Sequence, residues 1–338
     1  MTGVKCIGKC FGSVAWILAG ALCLTGCSLF EPDPVVTEYE TQTYNKNIYR
    51  DHLFAEDLCV PDGNVEMTGA PDTSGLHAAA LFDVEQAQTD FSYQVYDRLF
   101  PASTTKIMTA LVAIESGDLS QTVTVSEAAA ASSFAADESV CELELGDQLT
   151  LKDLLYGLLL CSGNDAAVAI AEAVGGDVET FVGMMNEKAE ELMATSTHFV
   201  NPHGLHDENH YTTAYDLYLI FNECIKHEEF VQVISAQAYD PQITGADGNP
   251  RSVEWEPTNF YATGEASRPE SVTLVGGKTG TTKLAGNCLI LLSRDSSDQP
   301  YISVVMGADT KELLYQDMTT ILNTLPADNP ADGQQSSQ

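Results

Sequence analysis

Basic residues are scarce in this chain. Lys and Arg total 15 against 49 Asp and Glu in 338 residues, a formal charge of −34. That balance repels nucleic acid and argues against such a partner. The helical H-E-x-x-H arrangement is absent, so His203, His206 and His210 with Asp207 are a weak zinc signal, and neither a metal nor a cofactor is expected. No internal repeat appears. The apolar run from Phe11 to Leu24 is shorter than the roughly 20 residues that span a bilayer, which favours a cleaved signal over a transmembrane helix. No close C-x-x-C pair occurs among the nine cysteines. Cys6, Cys10 and Cys23 fall in the signal and Cys27 closes it, which leaves Cys59, Cys141, Cys161, Cys224 and Cys288 with buried thiols as the default. Disulfide pairing stays open.

What is present is a composition 44% hydrophobic, enough to bury one substantial core. Lys5 and Lys9 precede the apolar run, and Leu24-Thr25-Gly26-Cys27 has the small residues and cysteine of a lipoprotein processing site. Residues 1–26 are therefore expected to be a signal peptide, Cys27 the lipidated N-terminus, and 27–53 an acidic tether. A single domain is expected over 54–325. The polar tail 326–338 has a disordered composition.

Three short stretches carry chemistry. In Pro101-Ala102-Ser103-Thr104-Thr105-Lys106 a hydroxyl stands at the mouth of a helix whose apolar face runs through Ile107, Met108, Leu111, Val112 and Ile114. Residues three apart share a helix face, so Lys106 reaches Ser103, a hydroxyl too weak as a nucleophile without a base beside it. Cys161-Ser162-Gly163-Asn164 breaks one apolar helix, Leu151 to Leu160, and opens another, Asn164 to Val174. Cys161 reads as packing. Lys278-Thr279-Gly280-Thr281 ends the apolar run 271–277 and precedes a strand over 287–293. Each stretch is common alone, but the ordered triple is specific.

In these motifs the chain resembles the low-molecular-mass penicillin-binding proteins, the serine-type D-alanyl-D-alanine carboxypeptidases of the β-lactamase/transpeptidase-like superfamily. The likeness runs from about Leu76 to Leu325. It implies an α+β fold, an antiparallel sheet flanked by helices with an inserted helical lobe. That agrees with strand patterns over 77–82, 91–95, 287–293 and 301–306 at the two ends and helices between them. Thr150 with Asp153, and Thr213 with Asp216, read as capping boxes. Many relatives carry a further all-β domain and a C-terminal amphipathic anchor. Here the N-terminal lipid is expected to supply the anchoring, at the outer face of the cell membrane.

The resemblance also implies roles. Ser103 would attack the carbonyl between the last two residues of a peptidoglycan stem peptide, and Lys106, desolvated and beside Lys278, would take its proton. Ser162 would relay a proton to the leaving amine, and Asn164 would hold the substrate amide or Lys106 itself. Lys278 and Thr279 would bind the terminal carboxylate, Gly280 would admit the substrate, and the amides of Ser103 and Thr281 would form the oxyanion hole. The expected activity is removal of the terminal D-alanine through an acyl-enzyme, with β-lactams as covalent inhibitors. Endopeptidase or transpeptidase action shares that acyl-enzyme. A β-lactamase would need the deacylating glutamate of an E-x-x-L-N stretch, which is missing. A non-catalytic wall-binding lipoprotein is the remaining alternative. The segment 259–271 is longer and more polar than in relatives, and the specificity depends on whether it covers the groove.

Overall fold

The computed structural model describes residues 55–326. The signal segment, Cys27, the tether to residue 54 and the tail beyond Pro326 lie outside the described residues. Among the described residues no helix is long and apolar enough to cross a membrane.

Among the described residues nine strands and eight α-helices follow in chain order. A five-stranded antiparallel sheet comes from the two extremities, as expected: β1 (Ala78–Asp83), β2 (Gln88–Tyr93), β7 (Thr273–Thr282), β8 (Gly286–Arg294) and β9 (Pro300–Ala308), in the order β2-β1-β9-β8-β7. The sequence alternation of its central strands sorts residues to two faces. Ala78, Ala80, Phe82, Ile290, Leu292, Ile302 and Val304 join the core shared with the helical lobe. Ala79, Leu81, Leu289, Leu291 and Val305 pack instead with Leu314, Met318 and Ile321 of the last helix, α8 (Lys311–Leu322). Both faces being covered explains why β1, β8 and β9 read as nearly continuous apolar runs.

The lobe is built round α1 (Lys106–Ser116), which touches α2 (Leu151–Leu159), α3 (Asn164–Gly175), α4 (Val178–Glu191), α5 (Ala214–Cys224) and α6 (Glu228–Ser235). Every residue from Lys106 to Ala113 is buried, so α1 is a central helix rather than an amphipathic one. The Thr150–Asp153 capping box forms in full at α2. At α5 only half of the expected box exists. Thr213 accepts from the Asp216 amide, but the Asp216 carboxylate turns away to accept from Ser196 N (2.8 Å) and Thr197 Oγ1 (2.7 Å), fastening a distant loop.

A second sheet, β3-β4-β5-β6, was not anticipated. It joins β3 (Thr122–Thr124), β4 (Gln148–Thr150), β5 (Ile243–Thr244) and β6 (Pro250–Arg251). Strands of two or three residues are too short to show an alternation, and it is Arg251, bound to Asp147 Oδ2 and Glu142 O at 2.6 Å each, that ties them together. The five cysteines among the described residues are free thiols, four buried and Cys161 half-buried.

The Asp216 arrangement is testable. Asp216→Ala strands two donors in a buried site and should cost about 1–3 kcal/mol, against about 1 kcal/mol for loss of the cap in Thr213→Ala. Equilibrium urea unfolding of both variants measures the difference; equal losses would mean that Asp216 acts only as a cap partner.

Candidate active site

Ser103 lies not in the α-helix but in a 3₁₀ turn, Ala102–Thr105, that feeds it, and Lys106 is the first α-helical residue. The turn is held from three sides. Thr104 and Thr105 donate their hydroxyls to Pro101 O (2.7 Å) and Ala102 O (2.8 Å). Ala102 itself sits at φ 50°, a left-handed conformation that costs a non-glycine residue of order 1–3 kcal/mol unless its surroundings impose it. Gly204, at φ +88°, presses on the carbonyl of Ala102; a Cβ there would stand 1.9 Å from that oxygen. No other residue type fits.

His210 supplies the third restraint. Its Nε2 is 2.8 Å from Thr105 Oγ1, and its Nδ1 accepts from Val200 N at 3.1 Å. Because the Thr105 hydroxyl hydrogen already goes to Ala102, Nε2 must carry the ring hydrogen and the imidazole is neutral. Burial agrees, pushing His210 down to about 4. The histidines considered as metal ligands are thus used one by one: His210 props the Ser103 turn, His206 meets the ring of Phe100 edge-on at 4.6 Å, and His203 offers its backbone oxygen to Lys106.

Lys106 is fully buried. Its Nζ has three neighbours: His203 O at 2.7 Å, Asn164 Oδ1 at 2.8 Å and Ser103 Oγ at 3.1 Å. Two of these are carbonyl oxygens, which only accept. A neutral amine has two hydrogens for those two acceptors and one lone pair, left facing the Ser103 hydroxyl. Desolvation, and after it the charge of Lys278, holds Lys106 well below the usual lysine range, outweighing the opposite pull of Asp165. Asn164, for which two partners were expected, holds the amine.

Lys278 and its neighbours depart from expectation in one respect. The Lys278–Thr281 stretch lies within β7 rather than past its end, paired with residues 287–290 of β8. Side chains alternate along a strand, so Lys278 and Thr279 leave β7 on opposite faces. Lys278 goes inward, 1% exposed, and donates to Ser162 Oγ and to Thr279 O, both at 2.9 Å. Burial lowers it to about 7. Ser162, at φ 62° in the turn between α2 and α3, is a second left-handed non-glycine residue of the site.

Gly280 faces inward as Lys278 does. A Cβ there would lie 3.0 Å from Pro101 O and Thr104 N and 3.1 Å from Ser103 N, so what needs the missing side chain is first of all the Ser103 turn. In front of these groups is a cavity of about 140 Å³ lined by Ser103, Ser162, Thr279, Gly280 and Thr281. The polar segment after residue 258 borders this space without filling it. It carries the short α7 (Phe260–Thr263) and is tied to α8 by Tyr261 Oη, which donates to Tyr315 O (2.9 Å), and by the Tyr315 hydroxyl, which accepts from Phe260 N (2.9 Å). Thr258 reaches the motif strand, its Oγ1 2.7 Å from Thr279 Oγ1.

An antiparallel sheet, a helical lobe and a serine–lysine pair at the seam between them define the class of penicillin-recognising serine peptidases. Within it the chain belongs to the D-alanyl-D-alanine carboxypeptidase family, whose model matches residues 70–310. It is 32% identical over 252 residues to the D-alanyl-D-alanine carboxypeptidase DacF of Bacillus subtilis, covering 73% of this chain and 61% of that one. Against DacA of Haemophilus influenzae it is 34% identical over 220 residues, 63% of this chain and 52% of the relative. The chain therefore spans only about half to three fifths of these curated relatives. Among solved structures it is similar to the Streptomyces K15 DD-transpeptidase, with a TM-score of 0.69 and 28% identity over 75% of this chain and 98% of that one.

The neutral state of His210 gives a signed pH dependence. Its folded value lies below the ordinary 6.5, so below pH 6.5 the unfolded chain takes up a proton that the folded chain refuses, and stability drains away down to about pH 4. The stability advantage of wild type over His210→Gln should shrink by up to about 1.4 kcal/mol per pH unit across that window. Thermal unfolding of both proteins reads it; a constant difference would mean an ordinary, exposed histidine.

Proposed function

We propose that the chain is a serine-type D-Ala-D-Ala carboxypeptidase that removes the terminal D-alanine of peptidoglycan stem peptides. The observation that carries this reading is the buried Lys106 Nζ, 3.1 Å from Ser103 Oγ and within bonding distance of the carbonyl oxygens of Asn164 and His203; once burial has taken its third proton, its lone pair is left for Ser103. Lys106 takes the hydroxyl proton, and Ser103 Oγ attacks the carbonyl of the penultimate residue. The tetrahedral oxyanion is met by the amides of Ser103 and Thr281, donors each worth about 10²–10³ in rate in other serine enzymes. Ser162 accepts from Lys278 Nζ, which leaves its own hydrogen for the departing amine, and Lys278, at about 7, replaces that proton. The C–N bond breaks, D-alanine leaves, and water releases the acyl group.

The same acyl-enzyme can pass to an amine instead of water, and the similarity to the Streptomyces K15 DD-transpeptidase favours this as the second reading. Penicillin, whose strained amide mimics the peptide terminus, acylates Ser103 and is released slowly, because the chain lacks the E-x-x-L-N glutamate. A non-catalytic wall-binding role leaves the burial of two lysines without a purpose. The signal segment and Cys27 support a lipid-anchored protein working outside the cytoplasmic membrane on the wall.

Wild-type protein incubated with diacetyl-L-Lys-D-Ala-D-Ala should release D-alanine and gain the mass of one benzylpenicillin. Ser103→Ala should do neither, while Ser162→Ala should retain slow acylation, reduced by roughly 10²–10⁴. Absence of both product and adduct in wild type would remove the enzyme reading.

A further expectation concerns pH. The lowered value of Lys106 keeps the amine unprotonated below the ordinary 10.5. The second-order rate of penicillin acylation should thus stay level as the pH falls through 10.5, and decline only after protonation begins lower down. Stopped-flow measurement that found an inflection at 10.5 would show a lysine in its usual state.

A further inference from the structure

Two thiols that the proton transfers do not use meet at the turn carrying Ser162. Cys161 precedes Ser162 in the turn between α2 and α3 and is half-buried, packed on the same core as Cys141. Cys141 comes from the loop before β4 and is 1% exposed. Its sulfur fills the room that two glycines leave: a Cβ at Gly163 would stand 2.0 Å from it, and one at Gly157, within α2, 2.7 Å. Burial, and after it the hydrogen bond with Cys161, pushes the Cys141 thiol well above its usual range. Both sulfurs also act on the charge of Lys278, against the larger effect of its burial, and Lys278 Nζ donates to Ser162 Oγ at 2.9 Å.

The two sides of this pair are not equally free. The Cys141 segment is fastened to the start of α3, with Asn164 N donating to Ser139 O (2.8 Å) and the amides of Cys141 and Leu143 donating to the Asp165 carboxylate (2.8 and 3.1 Å). Trp255 Nε1 donates to Cys141 O at 3.1 Å. Ser162, beside Cys161, sits at φ 62°, a left-handed conformation from which a serine gains by relaxing. A bond of about 2 Å between the sulfurs therefore draws in the turn rather than the loop.

We propose that Cys141 and Cys161 form a redox-active dithiol, a modification site for small-molecule disulfides, and that closing the pair displaces Ser162 Oγ from Lys278 and slows acylation. The site stands apart from the carboxypeptidase reading, whereas its effect on rate rests on that reading. Outside the cytoplasmic membrane such bonds persist. The accessible Cys161 sulfur attacks a disulfide RS–SR, giving Cys161–S–SR and one RSH, which carries off the proton. Cys141 then attacks the Cys161 sulfur, the bond to SR breaks, and a second RSH leaves. Two protein thiols are oxidised and one small disulfide is reduced.

The test incubates reduced full-length protein with oxidised glutathione and measures its unreduced peptides by mass and its rate of benzylpenicillin acylation. Wild type should yield a peptide cross-linked between Cys141 and Cys161. It should acylate about 10- to 100-fold more slowly, the order expected from misplacing a catalytic group by about 1 Å, and recover fully in dithiothreitol. Cys141→Ala, lacking the second sulfur, should stop with one glutathionyl group on Cys161, and Cys161→Ser should keep its rate and gain nothing at this turn. A lasting glutathione adduct on wild-type Cys161, or cross-links between other cysteines only, would overturn the pairing. A cross-linked protein that acylates as fast as the dithiol form would overturn the link to Ser162. If neither form takes penicillin, the carboxypeptidase reading and the rate effect fall together, while the cross-linked peptide still decides the pairing.

Discussion

Two lysines are buried at the seam of this molecule with no carboxylate among the described residues bonded to either, and the rest of the site is a response to that constraint. Taking an ammonium out of water costs several kcal/mol in a real protein, so a buried lysine tends to give up its proton. Lys106 does so with its neutral form hydrogen-bonded to two carbonyl oxygens. Lys278 stays near the balance point, about 7, where it can hold or yield a proton at little cost. The two effects reinforce one another, because whatever charge Lys278 keeps is a reason for Lys106 to have none. A carboxylate in place of the Asn164 side-chain amide would restore the Lys106 proton and remove the lone pair from Ser103.

The fold exists to hold that pair in register. Lys106 comes from the start of the central helix, Lys278 from an edge strand, Asn164 from a third helix and the His203 carbonyl from a loop. None of these elements owns the site. Their convergence depends on close backbone approaches, tight for a side chain at Gly280 against the Ser103 turn and forbidding one at Gly204 against Ala102. The left-handed residues Ala102 and Ser162 flank the reacting hydroxyls. Strain of this kind persists only where the surroundings over-determine the backbone, and here His210, Thr105 and Thr104 do so.

What was legible in the sequence was whatever is local. Ser103 and Lys106 are three apart, Thr150 and Asp153 make their box within one turn, and the apolar runs of β8 and β9 declare a sheet covered on both faces. What was hidden depends on groups without a sequence signature. His210 lies 105 positions from its partner Thr105, and its role shows only when the loop is folded back. The His203 contact is made by a backbone oxygen, which any residue type would supply. Asp216 reads as a capping residue by spacing, yet its carboxylate serves Ser196 and Thr197. The strands of the second sheet are shorter than the period that would reveal them.

The lysine-threonine-glycine stretch divides in space for a general reason. Two neighbours on a strand face opposite ways, so a motif written as adjacent letters is two half-motifs in space. The inward half, Lys278 and Gly280, serves the serine turns behind the cavity wall. The outward half, Thr279 and Thr281, faces α8 and the lysine that begins it. Both halves nevertheless meet one cavity, because Ser103, Ser162 and Gly280 line it together with Thr279 and Thr281.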